Sequence, residues 1–236
     1  MSNSYFQFKQ FTIRQDKCAM KVGTDGVLLG AWCPVKKNDV VLDIGTGTGL
    51  IALMVAQRGG ALIHAVDIDA SAVEQAKENV SYSPWNHQIE VFESDVQHFD
   101  VGVRYDVVVS NPPYFNNSLK NPNKCRMMAR HTDSLSYDDL ILSSVKLLKP
   151  TGIMCVILPY DESLLFIEKA KAHEFYLQQD ITIKTTLTTE KASRRMMAFI
   201  RSSIQVLHHN EIVLFLDEKQ MSESYRNLVK PYYLFV

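Results

Sequence analysis

A chain of 236 residues, 46% of them hydrophobic, is long enough for one α/β domain of ordinary size and can bury a substantial core. Its 25 basic and 26 acidic side chains leave a net charge of −1, which excludes a large non-specific nucleic-acid surface but leaves room for a local basic patch. The four cysteines, Cys18, Cys33, Cys125 and Cys155, lack metal-ligand spacing, so reduced thiols in a cytoplasmic protein with no bound metal are expected. The segment Met1-Ser2-Asn3-Ser4-Tyr5 lacks the basic and apolar regions of a signal peptide. No run of ~20 apolar residues could span a membrane.

In chain order, residues 5–32 read as an N-terminal cap with a strand-like start and a short helix from Gly26 to Trp32. Strands follow at 39–44, 61–67, 88–93, 105–110 and 152–158, alternating with helices, which predicts a parallel sheet covered on both faces. The first helix of this series, Leu50 to Arg58, ends at Gly59-Gly60, and the second, Ala70–Val80, takes Asp69 as its N-cap. An amphipathic helix over 136–148 ends at Lys149-Pro150-Thr151-Gly152, and another helix spans 161–173. Two late strands are placed at 174–186 and 194–206, then a short strand and a helix near 222–230. The aromatic end, Tyr232-Tyr233-Leu234-Phe235, is expected to pack on the domain. The reading is one domain, 1–236, with a cap over 1–35, a core over 36–206 and an extension over 207–236. His64 falls in a strand pattern and is expected to be packed, and His208-His209 is placed at a turn.

Two motifs carry chemistry. In Val40-Val41-Leu42-Asp43-Ile44-Gly45-Thr46-Gly47-Thr48-Gly49, a β-branched strand runs into a glycine-rich loop that lets the backbone turn tightly against a ligand. The Gly-x-Gly-x-Gly spacing fits the dinucleotide fingerprint poorly, and no Lys-Ser/Thr pair follows to make a phosphate loop. Asp43 before the first glycine suits a ligand with a cationic amino acid moiety. Asp67, at the end of the next strand and about 20 residues beyond the loop, can accept hydrogen bonds from ribose hydroxyls. Asp95, after the third strand, can take an adenine amino group.

The second motif is Asn111-Pro112-Pro113-Tyr114, directly after the strand Tyr105–Ser110. The Asn111 side-chain carbonyl can accept one N–H of a planar NH2 group. Pro112 lacks an N–H and is held out of the helical region by Pro113, which leaves its carbonyl free for the second N–H. Tyr114 offers a face on which a base can stack. A nitrogen held this way can turn its lone pair toward an electrophilic methyl. The glycine loop, Asp67, Asp95 and Asn111 all follow strand carboxyl ends, where ligands bind in open α/β sheets.

Together these motifs resemble the class I S-adenosylmethionine-dependent methyltransferases over roughly residues 38–200. The chain is more narrowly similar to the bacterial tRNA(Val) adenine-N6 methyltransferases. Three segments carry that likeness: Phe11-Thr12-Ile13-Arg14-Gln15-Asp16 with Lys21 to Trp32, Ala129 to Leu140, and Tyr225 to Leu234. The resemblance implies an α/β, Rossmann-like fold with a seven-stranded, mostly parallel sheet, an antiparallel edge hairpin and helices on both faces. It implies S-adenosyl-L-methionine as cofactor and the N6 amino group of an adenosine in tRNA as target, at position 37 of a valine tRNA, in a monomeric enzyme.

In that setting Asp43 and the backbone of Gly45, Thr46, Gly47 and Gly49 hold the methionine portion. Asp67 binds the ribose, with Ile68 against the adenine ring, and Asp95 with the Val96 N–H reads the adenine edge. Thr24, Asp25 and Gly26 close over the cofactor. Asn111, Pro112, Pro113 and Tyr114 hold the target base, Asn111 facing the cofactor as well. Arg14 and Lys21 could contact either the cofactor carboxylate or the RNA.

The long polar region 114–131 reads as a substrate loop. Its cations Lys120, Lys124, Arg126, Arg130 and His131 are assigned to the RNA, and a later group, Lys184, Lys191, Arg194, Arg195 and Arg201, could join them if it shares that face. The same NH2 chemistry would serve a protein glutamine N5-methyltransferase. A DNA adenine enzyme lacks its separate recognition domain here, a guanine-N2 enzyme its duplicated domain. The intact acids and glycines argue against a non-catalytic RNA-binding module.

Overall fold

The computed structural model describes residues 3–60, 62–113, 135–202, 207–217 and 220–235. A short antiparallel hairpin, β1 (Tyr5–Gln7) and β2 (Thr12–Arg14), opens the chain. Helix α1 (Thr24–Trp32) leads into β3 (Val40–Ile44), α2 (Leu50–Gln57), β4 (Leu62–Asp67), α3 (Ala70–Ser81), β5 (Ile89–Glu93) and β6 (Tyr105–Ser110). After residue 135 come α4 (Tyr137–Leu147), β7 (Leu148–Pro159), α5 (Tyr160–Ala172), β8 (Tyr176–Thr186), β9 (Arg194–Ile200), β10 (His208–Phe215) and α6 (Glu223–Val229). Among the described residues no helix is long and apolar enough to cross a membrane.

The main sheet has eight strands in the order β10-β8-β9-β7-β6-β3-β4-β5. β9 runs antiparallel to both its neighbours, and every other pairing is parallel. Seven strands stand in the expected arrangement. β10 extends them by pairing along β8, from His208 opposite Gln179 to Phe215 opposite Thr186. His208 and His209 therefore begin a strand rather than a turn, and His209 Nδ1 lies 3.0 Å from Asp180 Oδ2. The chain order reverses between β3 and β6, which makes their carboxyl ends the switch point of the sheet, where a crevice opens.

Val41, Leu42, Val107, Val108 and Val109 are buried on both sheet faces, as the apolar runs require. α1 and α2 are apolar almost all round and form one inner layer. They cross at Gly30, where an added Cβ would fall 2.9 Å from Met54 Sδ. The other face carries α4 and α5 over Tyr105, Val108, Met154 and Phe199. His64 is buried there, with its Nδ1 2.7 Å from the Tyr105 hydroxyl.

Of the aromatic end only the two tyrosines pack as expected, and Leu234 and Phe235 stay exposed. Tyr232 and Tyr233 are buried, the Lys9 N–H donates to the Tyr232 carbonyl at 2.8 Å, and Tyr233 stacks on Phe8 with ring centroids 6.0 Å apart.

Candidate active site

The glycine loop leaves β3 with Gly45, Gly47 and Gly49 at φ 70°, 56° and 80°. At Gly49, which caps α2, a side chain would be strained by the dihedral and would sit 3.4 Å from the Ala76 Cβ. Asp43 and Asp67 brace the loop from two sides. Asp43 is wholly buried beneath it, and its Oδ2 accepts from Thr46 Oγ1 at 2.7 Å and from the Ala52 N–H at 3.2 Å. Its Oδ1 is buried and meets no donor among the described residues. Asp67 Oδ2 accepts from the Gly47 N–H at 2.8 Å and Oδ1 from the Asp69 N–H at 3.0 Å. Asp69 is the N-cap of α3, accepting from the Ser71 N–H at 2.8 Å.

A cleft of about 450 Å³ opens over the strand ends, within the range of about 300–1,000 Å³ usual for small-molecule sites. Gly45, Gly47, Asp67, Ile68, Asp95, Val96, Asn111, Pro112 and Pro113 all line it, so the residues read from three separate motifs meet in one wall. Ser110 fixes the last of them in place, because its Oγ donates to the Ile44 carbonyl at 2.9 Å and ties the end of β6 to that of β3. Ile68 lines the cleft and is 54% exposed, an apolar platform at the end of β4.

Other expected residues stand elsewhere. Asp43, Thr46 and Gly49 shape the loop from behind and are not part of the wall. Thr24, Asp25 and Gly26 head α1. An added Cβ on Gly26 would fall 3.1 Å from Leu50 Cδ2, and Asp25 Oδ2 accepts from Arg194 Nε at 2.9 Å. The cap reaches the cleft through Cys18, Ala19 and Met20 instead. Neither Arg14 nor Lys21 lines it, and the Arg14 guanidinium pairs with Glu78 at 3.1 Å and lies over the Tyr82 ring. Tyr114, Lys120, Lys124, Arg126, Arg130 and His131 lie outside the described residues.

Three of the five later cations are held by acids, while Lys191 and Arg201 stand exposed. Lys184 pairs with Glu211 at 3.1 Å, Arg194 with Asp25, and Arg195 is buried against Asp180 at 2.7 Å. Leu135 and Asp139, which carry no motif signal in the sequence, also belong to the wall. Among the described residues no group of three or more His, Cys, Asp or Glu side chains could hold a metal ion.

Burial pushes the Asp43 carboxyl up to about 7, against the pull of its bonds from Thr46 and Ala52, and the nearby Asp67 charge adds to the rise. With the folded value above the unfolded one of about 3.9, the contribution to stability is complete below about pH 4 and is lost as pH rises through about 7. Ligand-free protein should therefore lose thermal stability between about pH 4 and 7, and Asp43→Asn should flatten that slope. Melting curves across this window check it. A wild-type slope that the variant leaves unchanged would contradict the assignment.

Removing Asp67 should weaken S-adenosylhomocysteine binding about 10- to 100-fold, because the variant loses its acceptor oxygens and frees the Gly47 turn. Calorimetry on Asp67→Ala checks this. An unchanged affinity would remove Asp67 from the site.

A Rossmann-like sheet with a glycine loop, an acid on the following strand and Asn-Pro-Pro at the switch point defines a methyltransferase. Residues 20–161 match the family model described as the methyltransferase small domain. The chain belongs to the family of tRNA1(Val) (adenine(37)-N6)-methyltransferases. A relative of that name from Phocaeicola vulgatus is 48% identical over 234 residues, 99% of each chain. Another from Trichodesmium erythraeum is 43% identical over 239 residues, again 99% of each.

Solved structures share the fold at lower identity. A predicted O-methyltransferase from Agrobacterium tumefaciens superposes with a TM-score of 0.69 at 18% identity, covering 88% of this chain and 96% of its own. The type I restriction-modification methyltransferase subunit from Streptococcus thermophilus gives 0.60 at 16% identity, covering 89% of this chain and 52% of its own.

Proposed function

We propose that this chain transfers a methyl group from S-adenosylmethionine to the N6 amino group of adenosine 37 in a valine tRNA, as a cytoplasmic enzyme acting as a monomer. The observation that carries the reading is the presence of Asn111 and Pro112 in the same cleft wall as Asp67 and the glycine loop. An acceptor pair for a planar NH2 group thus stands beside a site suited to a nucleoside with an amino acid tail. The names of the two relatives support the choice of tRNA and position.

The residues present fit the cofactor. Gly45 and Gly47 let the backbone come close, Asp67 keeps lone pairs for a diol, and Ile68, Val96 and Leu135 offer apolar surface for a purine. Asp43 acts from beneath the loop, where its orphaned Oδ1 favours a positive charge above. When bound, the cofactor supplies an electrophilic methyl, so no base is needed before transfer. The protein's part is alignment, worth up to roughly 7–11 kcal/mol in favourable cases. The target base must leave its stack, at a cost of a few kcal/mol that is lower in a loop. As the N–C bond forms the S–C bond would break to leave S-adenosylhomocysteine, and the nitrogen would then lose its extra proton to solvent while Asn111 and Pro112 accept from its N–H groups.

The test uses two transcripts of the valine tRNA, one with adenosine and one with guanosine at position 37. Methylation of the first alone is expected. Equal methylation of both would move the target to another nucleotide.

A further inference from the structure

The cleft wall holds one carboxylate that the roles above leave unused. Asp139 stands in the first turn of α4 and lines the same cavity as Asp67, Asp95 and Asn111. Its direction is fixed by the helix cap. Ser136 Oγ donates to Asp139 Oδ2 at 2.6 Å and accepts from the Asp139 N–H at 3.1 Å. A carboxylate there can only accept. Among the described residues no hydrogen-bond donor reaches the other oxygen, Oδ1.

Asp95 is placed differently. Its Oδ1 already accepts from the Gln97 N–H at 3.0 Å, and its Oδ2 lies 3.2 Å from His98 Nδ1. Leu135, Tyr137 and Leu140, around the start of α4, pack in one hydrophobic cluster with Val96 and Phe99, which follow Asp95. Asp95 and Asp139 therefore approach the cleft from the same side of the sheet. The cap residues Cys18 to Met20 and α3 Ala72 supply other parts of the wall.

We propose that Asp139 is a specificity-determining residue that accepts one N–H of the exocyclic amino group of the cofactor's adenine, with Asp95 accepting the other. This rests on the reading that the cleft takes S-adenosylmethionine, and not on which macromolecule is methylated. Two carboxylates satisfy both donors of a 6-amino purine. Against a 6-oxo purine they would face an oxygen, so the pair selects adenine over hypoxanthine by attraction and by repulsion.

The experiment is calorimetric titration of the full chain with S-adenosylhomocysteine and with S-inosylhomocysteine, which carries oxygen in place of the amino group and a proton on the adjacent ring nitrogen N1. Wild type should prefer the adenosyl ligand strongly. Asp139→Ala should weaken that ligand about tenfold and leave the inosyl ligand unchanged or tighter, so that the preference collapses. The Ser136 hydroxyl still caps the residue 139 N–H in this variant. Asp139→Asn, whose amide can donate to an oxygen while keeping a partner for Ser136, should improve inosyl binding and serves if the alanine variant folds poorly.

Equal losses for both ligands would make Asp139 a structural residue and overturn the proposal. Unchanged affinities with slower methylation would place it against the target base, which also overturns it. Failure of the wild type to bind S-adenosylhomocysteine would instead sink the cofactor reading itself.

Discussion

Replacing Asn111 with alanine should slow methyl transfer roughly 100- to 1,000-fold while leaving S-adenosylhomocysteine affinity almost unchanged. The side-chain carbonyl has one task in this account, to hold one N–H of the target amino group so that the nitrogen lone pair faces the methyl. Alanine keeps the β6 end intact, because the tie to β3 is made by Ser110 Oγ and the turn by Pro112 and Pro113. The cofactor meets Asp67, Ile68 and the glycine loop, none of which changes. Asn111→Asp should also be slow, since a charge in the low-dielectric wall attracts the amino group without freeing its lone pair in the same geometry. Single-turnover transfer rates beside ligand titrations separate the two effects. A variant with wild-type rates would show that Asn111 does not hold the amino group, and a variant that loses cofactor affinity would place it in the cofactor site instead.

The second large effect concerns Arg195, which the sequence groups with cations that could meet RNA. Its guanidinium is buried and grips Asp180 with two bonds, Nε to Oδ1 at 2.9 Å and Nη2 to Oδ2 at 2.7 Å, while Nη1 reaches Ser163 Oγ at 3.2 Å. The pair joins β8, β9 and α5, and Asp180 also neighbours His209 of β10. Arg195→Ala leaves Asp180 as a buried charge without its main partner, so the protein should lose about 3–5 kcal/mol of stability. Replacing both residues with leucine should recover much of that loss, because the desolvation penalty disappears with the charges. Denaturant unfolding of the two variants decides the matter. If Arg195→Ala keeps its stability but loses affinity for tRNA, the residue faces the substrate and the packing described here is wrong.

These two cases mark what the sequence could and could not convey. Asn111 was legible because its chemistry is local: a buried strand, then two prolines that fix the backbone, all within a few residues. The same holds for Asp67 and Asp69, whose places at the end of β4 and the start of α3 follow from the strand and helix patterns. Arg195 and Arg194 were not legible, because their partners Asp180 and Asp25 come into range only when β9 runs antiparallel beside β7 and β8.

The sequence marks β10 as a strand but not as the eighth of the main sheet. Its exposed His208, His209, Asn210 and Glu211 give no core-facing alternation to declare a partner. The sequence pattern starts β7 at 152. The chain instead enters the sheet directly from α4 at Leu148, which pairs with Tyr105, and the register then shifts so that Ile153 meets Val107. Asp139 was hidden by its cap, since Ser136 followed three residues later by an acid reads as a helix start. Only the fold shows that this acid also lines the cleft.

Methyl transfer to the N6 of an adenosine in tRNA is tested most directly by transfer from labelled S-adenosylmethionine to unmodified total tRNA, followed by nucleoside analysis. The account predicts label in N6-methyladenosine, carried by a single valine tRNA. Absence of label from tRNA, with label instead in a glutamine of a release-factor protein, would contradict it and leave the planar-NH2 chemistry of Asn111 attached to a different substrate.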